Sequence, residues 1–225
     1  MGMDASEWDE RYATTDLVWS EAPNQFVVEQ VSAAGLLEGR GRRALDLGCG
    51  EGRNAIWLAA RGWSVTGVDY SSKGIDTARA LASRREVDVE WIVGDATEWT
   101  AGDRGFALVV VAYLQMPPEQ QRAALRTAVA SLAPDGTLVV VAHHSDNLEH
   151  GTGGPQDPAV LFTQDDVVEH ASVVAAEMGV RLEVEVAMAA ERAVPDAPRP
   201  AIDTVVRMHR VATTETSTAA TGGSA

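Results

Sequence analysis

The chain has a single cysteine, Cys49, in 225 residues, so no disulfide can form within it and a packed core must hold it together. Positive charge is also scarce. The 18 lysines and arginines stand against 33 aspartates and glutamates, a formal net charge of −15. Such a field repels a phosphate backbone, and no basic stripe offsets it, which argues against DNA or RNA as a partner. Anionic membranes are disfavoured for the same reason. No apolar stretch approaches the length of a membrane span. No basic segment followed by an apolar run opens the chain, so the expected location is cytoplasmic. The length suits one domain with a sizeable core, and an apolar content of 45% is that of a globular protein.

What the chain does have is concentrated at residues 45–54, Leu-Asp-Leu-Gly-Cys-Gly-Glu-Gly-Arg-Asn. Arg43 to Leu47 reads as a short strand that runs into a turn where Gly48, Gly50 and Gly52 alternate. Glycine lets the backbone take positive φ and lets a ligand approach main-chain atoms closely. Residues 52–61 then carry Ala55, Ile56, Leu58 and Ala59 at helical spacing. Strand, glycine turn and helix build the crevice at the carboxyl end of a parallel sheet, where open α/β folds bind ligands. A dinucleotide fold calls for G-x-G-x-x-G. Here the sixth position is Arg53, whose long charged side chain counts against an NAD-linked oxidoreductase.

Two more acids close strands. Asp69 follows Trp63 to Val68, and Asp95 follows Val89 to Val93. A carboxylate after the second strand can accept hydrogen bonds from both hydroxyls of a ribose. Ordinary turns and helix caps also favour aspartate. The G-x-G-x-G turn behind Asp46, with Asp69 and Asp95 in order, resembles the class I S-adenosylmethionine-dependent methyltransferases. The opening Trp8-Asp9-Glu10-Arg11-Tyr12, with Trp19 after it, and the run Gly50-x-Gly52-Arg53-Asn54 resemble the tellurite-resistance and thiopurine methyltransferase-like branch of that family.

The resemblance implies a Rossmann-like α/β fold, a seven-stranded and mostly parallel sheet whose last strand inserts antiparallel beside the fifth. It implies S-adenosyl-L-methionine as cofactor and in-line displacement at its sulfonium methyl. The amides of Gly48, Cys49, Gly50 and Gly52 would hold the methionine end, with Asp46 on its amino group. Cys49 fits the turn as a small residue, since sulfonium transfer needs no thiol. Arg53 either pairs with the methionine carboxylate or is a solvated residue at the helix start, with Asn54 beside it. Asp69 would take the ribose, Tyr70 the adenine face, Asp95 and Ala96 the adenine edge, with Ala112 at the end of the fourth strand. Trp19 would act as a lid or merely pack the N-terminal segment. A cofactor-binding protein without catalysis remains the alternative.

Beyond the motif, residues 23–37 read as an amphipathic helix, residues 106–112 as a strand buried on both faces, and Pro134-Asp135-Gly136 as a turn into a strand over 137–142. A long irregular segment spans 143–162. Thr163-Gln164-Asp165-Asp166 looks like a capping box, and two strands follow, over 180–188 and 202–209. The expected organisation is an N-terminal cap segment at 1–21, a catalytic domain at 22–211 and a disordered tail at 212–225. The small-molecule acceptor would sit above strands four and five, where Tyr113, His143 and His144 are the catalytic candidates. A histidine there can take a proton from a phenol, thiol or amine. The spacing of His144, Asp146, Glu149 and His150 fits no metal-ligand pattern, so no metal is expected. The chain is expected to be a monomer or a homodimer.

Overall fold

The unbroken apolar run at 106–112 becomes β4 (Phe106–Ala112), near the middle of one seven-stranded sheet. In the computed structural model, which describes residues 9–10 and 21–212, the other strands are β1 (Arg43–Leu47), β2 (Ser64–Asp69), β3 (Val89–Val93), β5 (Leu132–His143), β6 (Leu182–Arg192) and β7 (Ala201–Arg210). Their order is β3-β2-β1-β4-β5-β7-β6. Strands β1 to β5 run parallel, β7 lies antiparallel beside β5, and β6 pairs antiparallel with β7. This is the sheet that the resemblance implied.

Period-two alternation sends successive β4 side chains to opposite faces. Val109 and Val111 join Leu125 and Val129 of α4 (Pro118–Ser131) and Val167 and Val174 of α6 (Gln164–Glu177). Leu108 and Val110 join Phe26, Val27 and Val31 of α1 (Gln25–Ala33) and Ala55 and Leu58 of α2 (Arg53–Ala59). Helix α3 (Ser72–Arg84) lies against β3 and β2. A four-residue helix, α5 (Asn147–His150), and a 3-10 turn, Pro158–Val160, give partial order to the segment expected to be irregular.

Several boundaries differ from expectation for local reasons. The helix expected at 23–37 is shorter at both ends. Asn24 caps it, accepting from the amides of Phe26 and Val27, and Gly35 at φ 70° stops it, leaving Leu37 exposed. Strand β5 is longer than 137–142. The expected Pro-Asp-Gly turn survives inside it as an irregularity in pairing, with Asp135 at φ 60°. Helix α6 begins with the expected box: Thr163 accepts from the Asp166 amide, and the Asp166 carboxylate accepts from the Thr163 amide. Thr163→Ala is expected to cost about 1 kcal/mol, a drop of roughly 2–4 °C in the thermal midpoint of this size of chain. Thermal unfolding followed by circular dichroism checks it. Among the described residues no helix is long and apolar enough to cross a membrane. Trp19, most of the N-terminal cap segment and all of the tail after residue 212 lie outside the described residues.

Candidate active site

The glycine turn is held from below by its neighbour strand. The amides of Gly48 and Cys49 both donate to the carbonyl of Val68, at 2.8 and 3.0 Å. The Gly50 amide donates to Asp69 Oδ2 at 2.8 Å, and the Gly52 amide to the Cys49 carbonyl at 2.9 Å. Four amides expected to hold a ligand are therefore spent on the protein itself. What the turn offers is close approach, since Gly48, Gly50 and Gly52 all have positive φ. The Cys49 thiol is buried, and burial together with the charges of Asp69 and Asp46 pushes it well above its ordinary range. That environment works against a thiolate nucleophile.

Asp46 is sealed beneath the turn at 1% exposure. Its Oδ2 accepts from the Ala55 amide at 3.0 Å, fixing the start of α2, while Oδ1 has no partner among the described residues. Burial raises its pKa from 3.8 to about 7, against the pull of the Ala55 amide and Arg53. Asp69 accepts from Gly50 through one oxygen and from the Ser71 amide through the other, and burial raises its pKa too. Next to it, Tyr70 is half-buried. Asp9 reaches the same corner, accepting from the Ser71 hydroxyl at 2.5 Å and the Lys73 amide at 3.2 Å, at the start of α3. Asn54 accepts from the Asn24 amide at 2.9 Å and so ties α2 to α1. Asp95 Oδ1 accepts from the amide and hydroxyl of Thr97 in an exposed turn, and Ala96 is buried behind it.

Opposite the turn, four strand ends converge on a buried acid that sequence reading missed. Asp203 of β7 is fully buried and faces His143 of β5 directly across the ladder. Its Oδ1 lies 3.2 Å from His143 Nδ1, and its Oδ2 accepts from the Tyr113 hydroxyl at 2.8 Å and from Arg192 Nε at 2.7 Å. Burial works against the charged carboxylate, yet His143, Arg192 and Tyr113 outweigh it and hold Asp203 below its ordinary pKa. Tyr113 follows β4 and Ala112 at φ 57° and stacks on His143, with ring centroids 4.7 Å apart. Burial and the Asp203 charge push its phenol up to about 12. The guanidinium of Arg53 stands 5.6 Å from the Tyr113 ring, between the glycine turn and this cluster.

His144 is placed differently. Its Nδ1 accepts from the Asp146 amide and its Nε2 meets Gln164 Oε1 at 3.2 Å, so both ring nitrogens are occupied. One sign of Asp203 was present in the sequence, an acid inside the strand Ala-Ile-Asp-Thr-Val-Val. Arg192 carried no such sign.

Residues 44–136 match the family model described as a methyltransferase domain. A ubiquinone biosynthesis O-methyltransferase from Caulobacter sp. is 32% identical over 148 residues, covering 60% of this chain and 57% of that protein. The chain spans about half the length of the curated relatives it matches. Among solved structures, the N-methyltransferase NodS from Bradyrhizobium japonicum, in complex with S-adenosyl-L-homocysteine, superposes with a TM-score of 0.63 at 20% identity, covering 92% of this chain and 99% of that one. TehB from Haemophilus influenzae superposes at 0.61 with 16% identity, covering 92% and 66%. The two scores are close, so the fold alone does not single out the tellurite-resistance branch.

Proposed function

Residues 44–136 are a methyltransferase domain set in the class I methyltransferase sheet, and from that premise we propose that the chain transfers the methyl group of S-adenosyl-L-methionine to a small-molecule acceptor. The observation that carries the proposal is the 2.8 Å hydrogen bond from Gly50 to Asp69. It joins the turn after β1 to the acid after β2 in one crevice, beside the β1–β4 boundary where the strand order reverses.

The residues fit the cofactor. Positive-φ glycines leave room for close contact at Gly48 and Gly50. Asp46 Oδ1 is a buried acceptor without a partner among the described residues, suited to an ammonium group. Each Asp69 oxygen takes one amide and keeps a lone pair for a hydroxyl. Tyr70, Asp95 and Ala96 would serve the adenine. The cofactor would supply an electrophilic methyl on sulfonium. The chain's own contribution would be to orient donor and acceptor and to move the acceptor's proton. The acidic surface supports a small molecule over a nucleic acid. We further propose a cytoplasmic enzyme, monomeric or homodimeric.

Titration calorimetry with S-adenosylhomocysteine and with NADH tests this reading beside transfer of a labelled methyl group. Saturable binding of the first, not displaced by NADH, is the expected result. NADH binding in its place overturns it. Cofactor binding with no turnover on any acceptor would favour the non-catalytic alternative.

A further inference from the structure

Three side chains were candidates to accept a proton, and the geometry leaves one. The Tyr113 hydroxyl is committed as a donor to Asp203, and both His144 nitrogens are occupied. His143 Nδ1 stands 3.2 Å from Asp203 Oδ1; both atoms are buried, and among the described residues neither has a hydrogen-bond partner, so each is left facing the other. Its Nε2 has no partner among the described residues. Resting on the methyltransferase reading, we infer that Asp203 is a positioning residue that fixes His143 as the general base for methylation of an acceptor hydroxyl of the phenol type.

The tautomer follows from the ladder. A carboxylate can only accept, so the proton of the neutral imidazole sits on Nδ1 and the lone pair is left on Nε2. Arg192 and Tyr113 saturate the other carboxylate oxygen, which stops Asp203 from turning away. When His143 becomes an imidazolium, the new charge stands 3.2 Å from a carboxylate. The stack with Tyr113 holds the ring plane.

A built base selects the acceptor class. An unprotonated amine or a metalloid anion already presents a lone pair. A thiol, with an ordinary pKa of about 8.5, is already partly thiolate near pH 7, whereas a phenol, at about 10, is neutral and depends on the base to become a good nucleophile. The acceptor oxygen forms the O–CH3 bond while the S–CH3 bond breaks and its electron pair stays on sulfur. The O–H proton passes to His143 Nε2 and then to solvent. The products are the methyl ether, S-adenosylhomocysteine and one proton.

Two readouts test this. In protein labelled with 15N-histidine, two-bond proton–nitrogen spectra at pH 8 are expected to show His143 as the Nδ1–H tautomer, identified by its loss in His143→Gln. Asp203→Asn is expected to shift that tautomer toward Nε2–H. A wild-type Nε2–H tautomer, or one that Asp203→Asn leaves unmoved, overturns the positioning role. The second readout is methyl transfer from S-adenosylmethionine to a panel of phenols, thiols, tertiary amines and tellurite. Phenols are expected to turn over, and Asp203→Asn should lower kcat by about 10²-fold or more with KM little changed. Transfer confined to amines or tellurite, or to no phenol, overturns the acceptor class. S-Adenosylhomocysteine affinity of the wild type and of both variants separates these failures from failure of the methyltransferase reading, and thermal unfolding shows whether each variant is folded.

Discussion

Gly52→Ala is expected to lower the thermal midpoint by roughly 10 °C, because two independent costs fall on one methyl group. Gly52 begins α2 at φ 78°, and an alanine held in that left-handed region costs about 1–2 kcal/mol. Its Cβ would also lie 2.3 Å from Cη2 and 2.9 Å from Cζ3 of Trp91, and 3.0 Å from the Ala78 Cβ. The same ring passes over Gly67, where a Cβ would come within 2.6 Å. The indole is therefore caught between two glycines and has little room to slide. Overpacking of this kind costs about 1–3 kcal/mol, and with the backbone term the total is about 2–5 kcal/mol. Trp91→Leu in the same background separates the two costs. If the ring is the obstacle, the double variant is more stable than the sum of the single losses allows, by about 1 kcal/mol or more. Strict additivity would leave only the backbone term. The third glycine of the turn is thus required by a tryptophan beneath it as much as by any ligand above it.

This packing shows which parts of the molecule local sequence could disclose. The apolar run of β4, the turn after Leu47 and the Thr163–Asp166 box are each specified within a few residues, so periodicity and turn chemistry find them. Trp91 under Gly52 is separated from it by two helices and a strand, and nothing in the sequence around either residue announces the contact. The antiparallel placement of β7 came from the family resemblance, and the most consequential pairing of the site depends on it. His143 and Asp203 are 60 residues apart and meet because the β5–β7 register sets them opposite each other. Tyr113 and His143 stood out as chemistry-bearing residues beyond strand ends, whereas Arg192 became visible only once β6 was laid against β7. The glycine turn is the reverse case. Its position was legible, yet the destination of its amides was not, because Val68 and Asp69 come from the next strand.

Asp46→Asn is expected to stabilise the cofactor-free protein at pH 8 by a few kcal/mol and to leave its stability at pH 4 almost unchanged. Asp46 is fully buried and its folded pKa lies near 7 against an ordinary 3.8, with burial as the main cause. A carboxyl with a raised folded pKa holds its proton more tightly folded than unfolded. Its cost to stability is therefore absent below pH 3.8, grows as pH rises through that value, and is complete above about pH 7. At 1.36 kcal/mol per pH unit, the full cost is about 4 kcal/mol, and about 2 kcal/mol is already present at pH 5. Asparagine still offers an oxygen to the Ala55 amide, so the start of α2 keeps its acceptor while the charge is removed. Urea unfolding of both proteins from pH 4 to pH 8 measures the difference directly, and parallel curves would show that Asp46 does not titrate in this range. A charge maintained at such a cost beneath a ligand-binding turn is the pattern expected where stability is given up for function. On the proposed function, the cofactor's ammonium meets Asp46 Oδ1, so the substitution that strengthens the fold should weaken binding of S-adenosylhomocysteine at pH 8. Wild-type affinity should then fall as pH drops from 8 to 6, because the carboxyl must lose its proton to receive a cation. Calorimetry in two buffers of different ionisation enthalpy would register that proton as released on binding by the wild type and as missing in Asp46→Asn.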